Sequence, residues 1–253
     1  MSHAFRTAVV FLALSVGTSA QNAQRTSEQT AASRVAALSG LLDPDTGRSL
    51  TAAQWESERE KITSAIRAEV NNFVESSVQP SDKPAEIQAR LRSVLAAHVP
   101  QLEYSDPPTA RVADLRYGQS LVVAYTVVRP PHFDSTLIFG FREDAGRFRL
   151  VATAGADFDG YTMSTLELPS PYRGELWLLA TGQAQTFNGA RMRFRVYAFD
   201  GDGFRTSWSP DDVFGATVQI TPQGFAITHS VREPPYKVTE EYTLTTNGPV
   251  RSR

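Results

Sequence analysis

RMRFRVYAFDGDGFRTSW, residues 191–208, alternates apolar and polar side chains on both sides of a glycine-rich centre. Met192, Phe194, Val196 and Ala198 interleave with Arg191, Arg193, Arg195 and Tyr197, the period of two that sorts side chains onto opposite faces of a strand. The same alternation resumes at Phe204, Thr206 and Trp208. Between the halves lie Asp200-Gly201 and Asp202-Gly203, where glycine supplies the positive φ of a tight turn. A β-hairpin is therefore expected. With a loop over Asp200 to Asp202, Ala198 faces Phe204, Val196 faces Thr206 and Phe194 faces Trp208, so the apolar groups gather on one face. That register leaves Arg193, Arg195, Tyr197 and Arg205 together on the other face, as a candidate site for an anionic group.

Downstream and upstream of this hairpin the character of the chain differs. Strands are expected at 112–115, 121–128, 136–141, 148–152, 165–168, 176–180, 217–221, 225–231 and 239–245. Turn residues separate them at the short spacing of an antiparallel β unit. Before Pro100 the periodicity is helical. Thr51 and Gln54 have the capping-box spacing, and Trp55, Ile62, Ile66, Val70, Phe73 and Val74 recur at threes, fours and sevens up to about Val78. A second helix from about Pro84 to His98 aligns Ile87, Leu91, Val94 and Leu95. The short joint at 79–83 folds the two back as an antiparallel pair. An alanine-rich helix at 31–42 is expected to precede them.

The expected fold is α+β: an N-terminal helical hairpin followed by an antiparallel all-β domain of about ten strands. The divisions are 1–20, 21–100 and 101–253. Glycine followed by phenylalanine at or just after the turn recurs in Gly146-Arg147-Phe148, Gly203-Phe204 and Gly224-Phe225, and Asn247-Gly248 makes a last turn. From Thr136 to Val250 this hairpin pattern resembles the meander of a β-propeller blade. The resemblance implies about three blades in the length present, fewer than a closed ring requires. A sandwich or an incomplete, propeller-like meander is the architecture that fits.

Residues 1–20 read as a signal peptide: Arg6, an apolar run from Ala8 to Val16 too short to span a bilayer, and small residues at Thr18 and Ala20 before a cleavage point. No transmembrane segment is expected after its removal, and the location implied is periplasmic or extracellular. Cysteine is absent from all 253 residues. That excludes disulfides, thiolate metal sites and a cysteine nucleophile. With 41% hydrophobic and 21% charged residues the chain has the composition of a globular protein with a core. Its formal net charge of −2 gives no indication of nucleic acid binding through bulk charge.

Motifs for P-loops, zincins, nucleophile elbows and dinucleotide binding are missing, and no cofactor or metal is expected. In the loop 129–134, His132 and Asp134 form a pair in which a carboxylate orients an imidazole, the usual preparation for proton transfer. A plain surface connector explains that loop more simply, since prolines flank it. The acidic turns at 157–160 and 200–203 read as turn chemistry, without the third acid or distant glutamate of a calcium loop. Tyr161, Tyr172 and Phe187 lie near loops, where they can stack on a sugar or peptide. Glu240 and Glu241 are candidate partners for the arginine face. The functional expectation is an exported soluble binding or scaffolding module for an anionic small molecule, glycan or protein partner. The alternative is a hydrolase acting on a cell-envelope or extracellular polymer. An exposed stripe with Trp55 and Ile62 would instead dock a partner protein.

Overall fold

The computed structural model describes residues 51–98, 108–129, 133–158, 160–187, 189–231 and 236–252, with the backbone alone for 52, 55–56, 58–59, 61–62, 65, 96–98, 126–129 and 133–136. The leader at 1–20 and the alanine-rich segment lie outside these residues. Among the described residues two α-helices, α1 (Ala52–Ser77) and α2 (Pro84–His98), precede twelve antiparallel strands. The chain divides into two compact units, Met1–Ala65 and Ile66–Arg253, and every strand lies in the second.

The capping box at the start of α1 is formed: Thr51 N donates to Gln54 Oε1 at 3.0 Å and Gln54 N to Thr51 Oγ1 at 3.3 Å. At the joint, Gln79 N donates to Asp82 Oδ2, and Arg90 of α2 reaches back to Asp82 and to the Ser77 carbonyl. Arg90 also lies 5.4 Å from the centre of the Phe73 ring, fixing the helical hairpin.

Strands β1 (Thr109–Leu115), β2 (Gly118–Arg129), β3 (Phe133–Asp144) and β4 (Arg147–Ala154) form one sheet in sequence order. The larger sheet comprises β5 (Thr162–Leu168), β6 (Leu176–Thr186), β7 (Gly189–Phe199), β8 (Phe204–Trp208), β9 (Val213–Thr221), β10 (Gly224–Ser230), β11 (Lys237–Thr245) and β12 (Gly248–Arg251). Its order is β12-β11-β10-β9-β7-β6-β5, with β8 paired to β7 alongside β9. All eleven expected strands occur, and β12 is the addition that Asn247-Gly248 turns into.

The two sheets pack face to face. Val122, Ala124 and Ile138 of the small sheet meet Met163, Leu178, Ala180, Tyr197 and Phe199 of the large one in a single buried cluster. Gly140 permits the closest approach, because a Cβ there would lie 2.5 Å from the Phe199 ring. On the opposite face of the small sheet Leu121, Val123, Phe139, Phe141 and Phe148 are also buried. Gln88 Nε2 donates to the Ala110 carbonyl and Glu75 accepts from Leu150 N, so the helices hold this sheet by its two edges. Their buried stripe of Val70, Phe73, Val74, Val78, Ile87, Leu91 and Leu95 thereby covers it. At Ala110 and Leu150, backbone groups of the two edge strands are thus occupied by helix side chains.

The large sheet also curls on itself. Trp177, Leu179, Phe194, Val196 and Ala198 share a second buried cluster with Phe225 and Ile227 of β10, against which Trp208, Tyr242 and Leu244 pack. Strand β7 is thus buried on both faces, the central position that its alternating sequence implied without revealing the second layer.

The β3–β4 turn supplies a small prediction. Ala145 is the non-glycine residue with positive φ among the described residues, at 51°, and Gly146 follows at 79°. Two such residues in a two-residue hairpin make the I′ geometry that asparagine and glycine favour. Ala145→Gly is expected to stabilise the fold by about 0.5–1 kcal/mol, because the Cβ strain removed outweighs the added chain entropy. Urea unfolding of the two proteins measures it.

Candidate functional site

From 191 to 197 the odd-numbered side chains of β7 are arginine, arginine, arginine and tyrosine: Arg191, Arg193, Arg195 and Tyr197. They lie on the face that meets two loops: the crossover between the sheets (155–161) and the β8–β9 link (209–212). The crossover contains a 3-10 turn, Ala156–Phe158, and it joins strands of different sheets rather than forming the hairpin turn its Asp-Gly composition implied. Phe158 is fully buried and fixes its position. Gly182 beneath that ring leaves room for it, since a Cβ at Gly182 would collide with the Phe158 side chain.

Two carboxylates answer the arginines. Asp212 accepts from Arg193 Nε and Nη2, both at 3.0 Å, from Tyr161 OH at 2.7 Å, and pairs with Arg191 Nε at 2.8 Å. Asp157 accepts from Arg195 Nε at 2.6 Å and from Tyr197 OH at 2.7 Å. Arg193 Nη1 also donates to the Asp157 carbonyl, and Arg195 Nη1 to the Pro210 carbonyl at 3.2 Å. The Arg193 guanidinium stands 4.2 Å from the centre of the Tyr161 ring, an added cation–π contact. Each loop is therefore tied to β7 by charge-assisted hydrogen bonds, the stronger kind.

The electrostatics follow from these contacts. Burial pushes the Asp212 carboxyl upward, but hydrogen bonds from Arg193 and Tyr161 and the charges of Arg193 and Arg191 outweigh it and hold the group below its ordinary range. The hydrogen bond to Asp212 raises Arg193. Burial, then the bond to Asp157, raises the Tyr197 hydroxyl. A carboxylate so held remains charged and is a poor proton donor.

Of the residues singled out in the sequence, Arg193, Arg195, Tyr197 and Tyr161 meet here, and Arg205 does not. The hairpin register explains the difference. Phe199 pairs with Phe204 and Ala198 with Arg205, then a bulge brings Trp208 opposite Val196. The loop is four residues, Asp200–Gly203, because the Asp200 carboxylate accepts from the amides of Asp202 and Gly203. Arg205 consequently lies on the reverse face, over the Trp177 ring and 3.4 Å from Glu175. Phe204 moves the other way and stacks on Phe199 at 4.6 Å.

The expected carboxylate partners are also corrected. Glu240 binds Arg251 at 2.8 Å and the Tyr242 hydroxyl at 2.6 Å, far along the sheet from the arginines. Burial, with Glu240 second, pushes that Tyr242 hydroxyl up to about 12. Glu241 is engaged through its carbonyl by Ser252. His132 lies outside the described residues, and Asp134 is described only as a backbone position on β3 opposite Val128. The side chains of Trp55 and Ile62 lie outside them too. Tyr172 and Phe187 are exposed, at 46% and 107%.

No known family, curated protein or solved structure matches this chain. Its chemistry must be read from its own side chains. Among the described residues no group of three histidines or carboxylates is placed to hold a metal ion, and no helix is long and apolar enough to cross a membrane. Asp157 and Asp212, which join the arginines into one network, were not singled out as their partners. One signal was available: arginines alternating along a strand with apolar neighbours on both sides will be partly buried, and buried arginines require carboxylates.

Proposed function

We propose that the chain is an exported binding or scaffolding module, and that its contact with an anionic group is the outer end of the β7 arginine row. What supports this reading is a charge imbalance. Among the described residues, Arg191, Arg193 and Arg195 are ion-paired with two carboxylates, Asp212 and Asp157. Arg193 and Arg195 are 21% and 14% exposed and committed to the loops, whereas Arg191 is 47% exposed and gives Asp212 its Nε. A guanidinium held by Nε presents its terminal nitrogens as a fork suited to carboxylate, phosphate or sulfate. Arg193 and Arg195 position; Arg191 contacts the ligand.

The test is thermal unfolding of the mature chain in inorganic phosphate, sulfate and citrate at matched ionic strength. An anion that binds only the native state is expected to stabilise by about 2.7 kcal/mol at a hundredfold excess over Kd, and Arg191→Gln to abolish the shift. Equal shifts in the wild type and Arg191→Gln would overturn the reading. Export is checked separately, by sequencing the secreted protein for an amino terminus at Gln21.

A further inference from the structure

We infer that the anionic group met by Arg191 is carried on a sugar ring, which makes the ligand an acidic glycan; this rests on the reading of Arg191 given above. Strand register supplies the rest of the site. Arg191 of β7 pairs with Phe214 of β9, Phe214 with Ser230 of β10, and Ser230 with Lys237 of β11. Directly paired residues share a face, so the four side chains form one row across the strands. A bulge decides which side chains enter it. Thr217 opposes Thr228 and Phe214 opposes Ser230, so three steps along β9 match two along β10. Gly215, at φ 57°, is the left-handed residue that such a bulge takes. Val213 and Val218 therefore both pack against the buried cluster, while Phe214 emerges beside Arg191. An unbroken strand would send Phe214 inward with Val218.

The chemistry of the row selects the ligand. Phe214 is 44% exposed beside the half-exposed Arg191, the one offering a ring face and the other its terminal guanidinium nitrogens. A bare anion uses the guanidinium and leaves the ring in water. A sugar has apolar C–H groups on its face and hydroxyls around its edge. With that face on Phe214 its acid group reaches Arg191, and the edge hydroxyls meet Ser230, the next residue in the row. Exposed Lys237 stands three strand spacings from Arg191, about 14 Å, where a further acid group of the same glycan falls. A flat aromatic acid would match Phe214 and Arg191 but leave Ser230 and Lys237 unused. An acidic peptide would match the two cations but bring no ring to Phe214.

Isothermal titration of the full chain with tetragalacturonate decides it, with its methyl ester, acetate and tetraglutamate as comparisons. Tetragalacturonate is expected to bind more tightly than the other three, because the ester lacks the charge, acetate the ring and tetraglutamate the sugar face. Phe214→Ala should weaken that binding about fivefold or more and leave stabilisation by inorganic phosphate unchanged, whereas Phe214→Tyr should keep both. Lys237→Gln should weaken tetragalacturonate binding several-fold, and Arg191→Gln should abolish it together with the phosphate effect. Phe214 and Lys237 are exposed, and unchanged melting temperatures without ligand show that folding is intact. Absence of tetragalacturonate binding, equal binding of the ester, acetate or tetraglutamate, or indifference to Phe214→Ala overturns the inference. A phosphate effect that still depends on Arg191 then leaves the anion contact standing, whereas a phosphate effect indifferent to Arg191→Gln overturns both readings.

Discussion

Asp212→Ala is expected to destabilise the protein by about 3 kcal/mol, near the lower end for removing one partner of a buried ion pair because Arg191 is half exposed. The Asp212 side chain is only 5% exposed and is the common acceptor for Arg191, Arg193 and Tyr161. Its removal takes from Arg191 and Arg193 the carboxylate they share and loosens the β8–β9 link from β7. Arg205→Ala is the comparison, since that arginine is 48% exposed against Glu175 on the reverse face. It should cost about 1 kcal/mol or less. Denaturant unfolding of the two variants ranks them, and a larger loss for Arg205 would refute the assignment of the network.

The same network fixes a pH dependence. The folded Asp212 carboxyl lies below its ordinary value. A group lowered in the folded state contributes its full stabilisation above the unfolded value, about 3.9, and loses it as the pH falls through the folded value. Wild type should therefore lose stability below about pH 4 faster than Asp212→Ala, and the gap between them should narrow there. A gap that stays constant into acid would mean that Asp212 acts through packing alone.

Local features were legible in the sequence because neighbouring residues cause them. Thr51 and Gln54 cap a helix within three residues, and alternation along 192–199 marks a strand whatever lies above it. The β7–β8 register was not, because it depends on which amides the Asp200 carboxylate captures, and that choice moved Arg205 to the other face. The arginine partners were less accessible still. Asp157 is 38 residues from Arg195, and Asp212 is 19 from Arg193. Alternation says that two faces exist, but only the packing of the small sheet on one and the curled β10–β12 segment on the other says that both are buried. Between the two architectures expected, the observed pair of facing sheets is a sandwich, with the curl of the larger one accounting for the repeated hairpin pattern.

Gly248→Ala tests how that curl is completed. Gly248 has φ +120°, where an L side chain is strained, and a Cβ there would lie 2.6 Å from the Ser207 carbonyl oxygen. Strain of about 1–3 kcal/mol from the backbone and a similar overpacking term give an expected loss of about 3 kcal/mol. The obstruction is backbone, so no rotamer change relieves it. Ser207 belongs to β8, which pairs with β7, and Gly248 opens β12, four strands away along the sheet path. Their contact closes the roll around Trp208, which sits 4.9 Å from the Tyr242 ring and 5.4 Å from Phe225. If closure holds the roll together, Gly248→Ala should speed amide exchange in β8 as well as in β12, because pushing the two strands apart exposes one shared cluster. Faster exchange in β12 alone, with a loss under about 0.5 kcal/mol, would instead make β12 a fraying end and leave the core of the roll to β7, β9 and β10.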